Sequence, residues 1–500
     1  MKSKKILILC IIVAAGFFSA CENLLDKEPL VQLSSTTFWK AESDVQAALT
    51  ATYSTYRTSI FGSARAANGV SFDIESLSDN AIVTSSFASY ATIMAGGINA
   101  STGGAISQYW SDCYNGIAKC NYFLNNIDAT KSFLTTVNYR KYKGEALFNR
   151  CFLYNELVQL YGDVPLVLTP QGIGSGYDKM PRTPKADIVS KIITDIDTAI
   201  ACLPNVAYAD GHAVKGSAIM LKVRILMNNQ RFAEAATAAW SLIGDPANPF
   251  ALHNNYLGIF FNEQKNNKEI MFSVQYASPD DYHQLDQYVS SRMSCFPTPQ
   301  LRDAYEVKNV VTGEKDPRLK MTIFQKGDHW VNNIISHKFT NDDKGSRSEG
   351  TIPFTNMAFK KWIDTTIYIA NSSNLSAQHI VKMRYAELLL SYAEAMFESG
   401  QGSDPRALKA LNDVRARKGV EMPPKTELTR DAIRNERRVE LAYEGLRYND
   451  LIRWGTAHEV IPTIKYHQSG NMRKFNGYVW PIPQAEMDKM EGVWIQNDGY

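Results

Sequence analysis

Residues 430–455 read RDAIRNERRVELAYEGLRYNDLIRWG, a segment dense in charge and threaded with aromatic side chains. With Thr429 as N-cap, a helix starting here places Glu436, Glu440 and Glu444 in one i, i+4 line. Arg434 and Arg438 form the neighbouring line, and Arg437 lies beside Glu440. Beyond Gly445 the pairs Glu444/Arg447, Arg447/Asp450 and Asp450/Arg453 are each three apart, so successive side chains are expected to pair along one face. Tyr443, Leu446, Tyr448, Leu451, Ile452 and Trp454 share the same turns. A solvated helix has no use for such an aromatic load, so the segment predicts an ion network partly buried under apolar cover. Two readings follow. Buried ions must be paired, and an arginine-rich lattice does that; closely spaced carboxylates flanked by arginines are also how an acid and base pair looks.

Composition narrows the field. Five hundred residues, 45% of them hydrophobic, suit two closely packed halves with a sizeable core. The first residues form a secretory leader: a basic start with Lys2, Lys4 and Lys5, an apolar run from Ile6 to Phe18, then Ser19 and Ala20 before Cys21. Without the leader, 50 basic residues face 51 acidic ones, a net of −1, which gives no sign of a nucleic-acid partner. No later run reaches the roughly twenty apolar residues that a membrane-spanning helix needs. Five further cysteines, Cys113, Cys120, Cys151, Cys202 and Cys295, carry no CxxC or His-rich spacing, so no metal and no cofactor is expected. Cys113 and Cys120 sit in one helix roughly 10 Å apart, too far for a disulfide, and read as small core residues.

Along the chain, a helix is expected from Ser43 with Gln46 as its capping-box partner. Residues 60–104 shift to Ser, Ala, Gly and Asn and read as surface loops, in which amides, carboxylates and aromatics suit sugar recognition or serve only as polar linkers. The clearest period follows: Ile106, Trp110, Cys113, Ile117, Cys120, Leu124 and Ile127 mark a buried helix stripe, and a second helix over 139–161 completes a hairpin. Gly162 to Pro165 stops it, and Thr183-Pro184 predicts the cap and first position of the next helix. Two helix pairs resemble tetratricopeptide repeats, one around Ala218–Ile243 and one over 384–418. Residues 245–380 are turn-rich, with strand-like runs at Glu269–Gln275 and Thr366–Ala370.

The core ERRVELAYEGLRYNDLIRWG from Glu436 to Gly455 closely resembles the C-terminal signature of the SusD/RagB family, Bacteroidetes outer-membrane nutrient-binding lipoproteins. Glu75-Ser-Leu-Ser-Asp79-Asn80-Ala, Asp316-Pro-Arg-Leu319, Met383-Arg-Tyr-Ala-Glu-Leu-Leu-Leu390 and the tail from Tyr478 to Tyr500 resemble further landmarks of that family. Phe18-Ser19-Ala20-Cys21 resembles a bacterial lipobox, with Phe18 in place of the usual leucine, which implies lipidation at Cys21; simple cleavage after Ala20 is the alternative. The resemblance implies a mainly α SusD-like fold, in which tetratricopeptide-like hairpins pack against an irregular, loop-rich region with short strands. The expected divisions are a signal peptide over 1–20, an N-terminal part over 21–245 and a C-terminal part over 246–500. It further implies a surface lipoprotein of the outer membrane that captures oligosaccharides, or in some branches peptides, and passes them to a SusC-like TonB-dependent transporter. No family motif fixes the ligand contacts, so these are chosen by residue type: Asn80, Phe87, Tyr90, Tyr282, His283 and Trp330. Two rival readings remain: a helical glycoside hydrolase or lyase using Glu436, Glu440 or Glu444, and a structural surface lipoprotein without a small ligand.

Overall fold

The computed structural model describes residues 38–63, 70–83, 89–172, 176, 179–277, 280–283, 285, 295–325, 328–331, 336–338, 355, 357–363, 376–466, 470–490 and 492–500. The leader with Cys21, Phe87 and the run Thr366–Ala370 lie outside them, and so does the side chain of Trp330.

Ten helices carry the architecture: α1 (Glu42–Tyr53), α2 (Ala105–Asn126), α3 (Thr136–Tyr161), α4 (Lys185–Cys202), α5 (Lys215–Asn228), α6 (Phe232–Ile243), α7 (Tyr385–Met396), α8 (Pro405–Arg415), α9 (Arg430–Glu440) and α10 (Arg447–Arg453). The fold is mainly α, as expected. From α2 to α6 each helix packs on the next, and α7 then returns to pack on α6, with α8 against α7. Both predicted repeat-like pairs, α5–α6 and α7–α8, therefore belong to one stack. Ala235, Ala236 and Ala239 line the buried face of α6, where small side chains let helices approach closely. At the α6–α7 crossing Trp240 stacks on Tyr392, with ring centroids 5.3 Å apart.

Two predicted helix starts are corrected. The first helix begins at Glu42, and Asp44 rather than Gln46 closes the box, its carboxylate accepting from the backbone N–H groups of Lys40 and Ala41 at 2.9 Å each. Gln46 is instead drawn sideways to the Tyr142 hydroxyl. Pro184 is the N-cap of α4, not its first helical residue, and Asp163, from the turn after α3, accepts from Lys185 N–H at 2.8 Å. A side chain from an earlier turn thus does the capping, which no local motif reveals. Gly162 ends α3 at φ +72°, a left-handed conformation open to glycine.

Strands are short and pair two by two. β1 (Ala81–Val83) pairs with β3 (Cys295–Pro297), and β2 (Ile270–Val274) with β10 (Ile380–Arg384). β4 (Val307–Asn309) pairs with β5 (Glu314–Lys315), β6 (Ile323–Gln325) with β9 (Met357–Phe359), and β7 (His329–Val331) with β8 (Ser336–Lys338); all five pairs are antiparallel. One hydrophobic cluster runs from Tyr56 to Trp494, and a smaller one gathers Val45, Leu49, Phe123 and Ile127 beneath α1. Cys113, Cys120, Cys151 and Cys295 are free and buried, and Cys202 is free and half-buried, in keeping with their reading as packing residues. The tail is tied to the body: Trp480 N–H donates to Leu160 at 2.6 Å, and the Asn497 amide donates to Tyr161 at 2.9 Å.

The expectation of surface loops over 60–104 fails for residues 70–83, all of which are buried. Ser71–Leu77 is a tight 3₁₀ segment lying under the charged C-terminal stretch, where its polar side chains find partners.

Candidate functional site

The charged stretch resolves into a sealed lattice centred on Glu440. Thr429 does cap α9, its hydroxyl accepting from Ala432 N–H at 3.1 Å. Glu440 accepts from Arg384 at 2.6 Å, Arg417 at 2.7 Å and Arg318 at 2.8 Å. Glu436 holds Arg318 at 2.6 Å and Arg415 at 2.7 Å, and Glu269 accepts from Arg384 at 2.8 Å and from Arg417 at 2.9 Å. Arg318 and Arg384 come from two of the separate landmarks read in the sequence, and both converge on a third.

The line through Glu444 is a correction. α9 ends at Glu440, Tyr443 and Gly445 take φ of +62° and +76°, and Glu444 therefore lies past the helix. It still joins the lattice, accepting from Lys361 at 2.6 Å and from Arg384 at 2.7 Å. The Lys361 ammonium also donates to the carbonyls of Glu440 and Ala442 at 2.9 Å, placing a cation at the carbonyl end of α9. Five carboxylates (Asp316, Glu269, Glu436, Glu440, Glu444) thereby meet five cations (Arg318, Lys361, Arg384, Arg415, Arg417). This balance is what lets so many charges leave water together.

The predicted ladder along 444–453 is also replaced. Asp450 does pair with Arg453 at 2.9 Å, but Arg447 reaches away to Asp79 at 2.8 Å, Arg438 joins it there at 2.9 Å, and Arg437 binds Asp450 at 2.8 Å. Partners hundreds of residues distant win because they cover the guanidinium groups from water, which neighbours on one helix face cannot do.

Electrostatics follow the geometry. Burial alone would raise the Glu440 carboxyl, but Arg417, Arg384 and Arg318 together hold it well below the usual range. Lys361 is lowered to about 8 by burial, with Glu444 opposing. Glu75 is raised to about 7 by burial, although Asn80, Tyr443 N–H and Arg447 N–H donate to it. Glu436 and Glu440 are 1% and 0% exposed. A carboxylate held by two or three guanidinium groups and closed to solvent meets no substrate and carries no proton to one, so the acid and base reading of these glutamates has no geometric basis.

An open site lies elsewhere, where the 3₁₀ turn Ser54–Arg57 leaves α1 and meets β2. A cleft of ≈160 Å³ is lined there by Tyr53, Tyr56, Arg57, Asp210, His212 and Gln275, among others. Arg57 forms an ion pair with Asp281 at 2.6 Å, and both side chains are near half exposure, at 42% and 45%. Its guanidinium lies over the Tyr276 ring, 4.4 Å from the centroid, and Tyr276 is fixed by its hydroxyl, which accepts from Ser63 N–H and donates to Ser63 carbonyl at 2.9 Å. At the other end His212, half-buried, shares a 2.6 Å hydrogen bond with the buried Glu145, which also accepts from Tyr53 at 2.7 Å. The Glu145 bond raises the His212 imidazole above its ordinary value. Cation, carboxylate, amide and imidazole thus face one concavity with aromatic walls, a set able to exchange hydrogen bonds with hydroxyl-rich or zwitterionic ligands.

The residues chosen from sequence divide around this cleft. Tyr282 follows Asp281 and is half-buried, and it is not among the residues that line the cleft. His283 is fully buried, edge-on to Tyr276 with centroids 4.4 Å apart; its Nε2 bonds the Gln378 carbonyl at 2.6 Å, and burial lowers its imidazole to about 4. It fastens the 281–285 segment to 376–378. Asn80 is fully buried, donating to Glu75 at 3.2 Å and accepting from Arg438 at 2.8 Å, and Tyr90 sits in the main core against Tyr109. These three brace the fold. Trp330 lies in β7, and Phe87 is outside the described residues. Arg57, Tyr276, Gln275 and His212 were not foreseen as a group; Arg57 and Asp281 are 224 residues apart, and no spacing rule connects them.

Comparison with known proteins places these features in company. Residues 258–500 match the model described as "SusD family", and residues 23–225 match the one described as "Starch-binding associating with outer membrane". Two proteins of Formosa agariphila, SusD-like protein P38 and SusD-like protein P2, are each 25% identical, the first over 94% of both chains and the second over the whole of both. Among solved structures, a SusD-like carbohydrate binding protein from Bacteroides fragilis is 28% identical with a TM-score of 0.78, covering 91% of this chain and 99% of that one. A second SusD-like protein from the same species is 25% identical with a TM-score of 0.79, covering 95% of this chain and all of that one.

Proposed function

Because this chain belongs to the SusD family, we propose that it is a cell-surface glycan-binding lipoprotein, anchored through Cys21, that captures oligosaccharides and delivers them to a SusC-like TonB-dependent transporter in the outer membrane. The observation that carries the ligand reading is the half-exposed Arg57–Asp281 pair, whose Arg57 lines the cleft and lies over the Tyr276 ring. An exposed ion pair is worth little to the fold, so its groups can be shared with sugar hydroxyls at small cost. Tyr276, itself fixed by Ser63, lies under Arg57 beforehand, which lowers the ordering cost of binding. The Gln275 amide and His212 line the cleft and are placed to bond further hydroxyls. Contacts of this kind are individually weak, so affinity grows with the number of rings engaged.

The experiment is affinity electrophoresis through a panel of neutral and acidic polysaccharides, with a peptide library as a separate arm. Arg57→Ala is expected to weaken retention by about tenfold, close to 1.4 kcal/mol, while the melting temperature stays almost unchanged. Retention equal to that of the unsubstituted protein would remove this cleft from the binding site, and capture of peptides in place of polysaccharides would turn the reading to peptide uptake.

A further inference from the structure

A second cleft, of ≈590 Å³, opens beside the β4–β5 hairpin and shares no lining residue with the Arg57 site. Its walls are the helical turn Pro299–Ala304, the hairpin, the start of the segment Arg318–Thr322, and Lys360 just after β9. The balance of charge here differs from that of the lattice. Asp316 is buried on Arg318 at 2.7 Å, and Asp303 accepts from Nε and Nη2 of Arg302 at 2.8 and 3.0 Å, so two of the carboxylates lining the cleft are already engaged. Of the three lysines that line the cleft, Lys315 donates to the Tyr305 carbonyl at 3.4 Å, and among the described residues neither Lys320 nor Lys360 forms an ion pair. Lys320 is exposed, whereas Lys360 is half-buried with its ammonium 5.1 Å from the centroid of the Phe324 ring.

A desolvated ammonium set in a concave wall is costly unless an anion comes to it. Asp328 supports the charge of Lys360 from a distance, but burial still draws the group below its ordinary value. The exposed Glu314 on the hairpin is the opposing charge left on the rim. The volume lies within the roughly 300–1,000 Å³ of small-molecule sites, more than a bare inorganic ion occupies. Gln325, half-buried on the same wall, offers an amide suited to hydroxyls.

We propose that this cleft is a second saccharide site, selective for a sugar bearing a carboxylate or sulfate group, with Lys320 and Lys360 as its anion-binding pair. The reading goes beyond glycan capture at the Arg57 cleft and stands or falls separately from it. Calorimetric titration of the purified full chain with tetragalacturonate, a sulfated chondroitin tetrasaccharide, maltotetraose and sodium sulfate tests it. One or both acidic tetrasaccharides are expected to bind more tightly than maltotetraose, with affinity falling as sodium chloride is raised. Lys320→Glu, a charge reversal at an exposed position, and Lys360→Gln should each lower that affinity about tenfold, while the affinity for maltotetraose stays as it is in the unsubstituted protein. Acidic oligosaccharides binding no better than the neutral one would overturn the proposal. So would an affinity for sodium sulfate equal to that for the tetrasaccharides, which assigns the cleft to a free anion, or an affinity for the acidic tetrasaccharides that neither Lys320→Glu nor Lys360→Gln lowers.

Discussion

Replacing Glu440 by glutamine is expected to destabilise the protein by about 3–5 kcal/mol, a large share of the stability of any folded chain. The cost does not come from one lost bond. Glutamine keeps the shape but removes the charge that faces Arg318, Arg384 and Arg417, and turns an amide N–H₂ toward one or more guanidinium groups that need an acceptor. The buried array would then hold one cation in excess, with no water to screen it. In a chain of this length the apparent melting temperature should fall by roughly 4 °C, as read by circular dichroism or scanning calorimetry. A melting curve that superimposes on that of the unsubstituted protein would mean that the charges are not coupled as their geometry indicates.

The second large effect concerns pH and centres on Glu75. Its carboxyl is raised to about 7 in the folded protein from an ordinary value of 4.5. Between these values the folded state keeps a proton that the unfolded chain has released, so stability falls as pH rises through this window. The full contribution is present below about pH 4.5 and has been lost above about pH 7, a change on the order of 3 kcal/mol. Glu75→Gln imitates the protonated form and removes the dependence. Glutamine also turns an amide N–H₂ toward groups that donate to the carboxyl, a cost that is the same at every pH, so the stability of the variant relative to the unsubstituted protein should rise by about 3 kcal/mol between pH 5 and pH 8. A relative stability that stays flat across that range would show that the carboxyl does not titrate within it.

Much of the helical scaffold was legible because its signals are local. The stripe from Ile106 to Ile127, the Thr429 cap and the paired helices of the repeat-like units each occupy a few turns of chain, and each appears in place. Buried pairing of the 430–455 charges was legible too, since aromatic cover and alternating sign occur together there. The partners were not. Glu440 meets Arg384 across 56 residues and Arg318 across 122, while Arg447 meets Asp79 across 368. Helix periodicity offers nearer neighbours for each of these groups, and the fold passes them over because only the distant partners exclude water.

The site was harder to read for a related reason. An amide or imidazole in a glycine- and serine-rich segment looks the same in sequence whether it holds a ligand or holds the segment. Asn80 and His283 hold the segment: both are fully buried, Asn80 between Glu75 and Arg438 and His283 on the Gln378 carbonyl. Arg57 and Asp281 carry no local signal, one following an ordinary amphipathic helix and the other sitting in a turn. Their significance lies in meeting at the surface over Tyr276.

The central claim is that the charged C-terminal stretch is scaffold and that ligand is met elsewhere. Arg447→Ala tests it most directly, because Arg447 ties that stretch to Asp79 from partly covered ground, its side chain 10% exposed. Melting temperature and retention by whichever polysaccharide the unsubstituted protein binds should be measured on the same preparation. The account predicts a loss of about 3 kcal/mol in stability, with retention intact at temperatures where the variant is folded. An unchanged melting temperature together with abolished retention would contradict it and make the stretch part of the binding site.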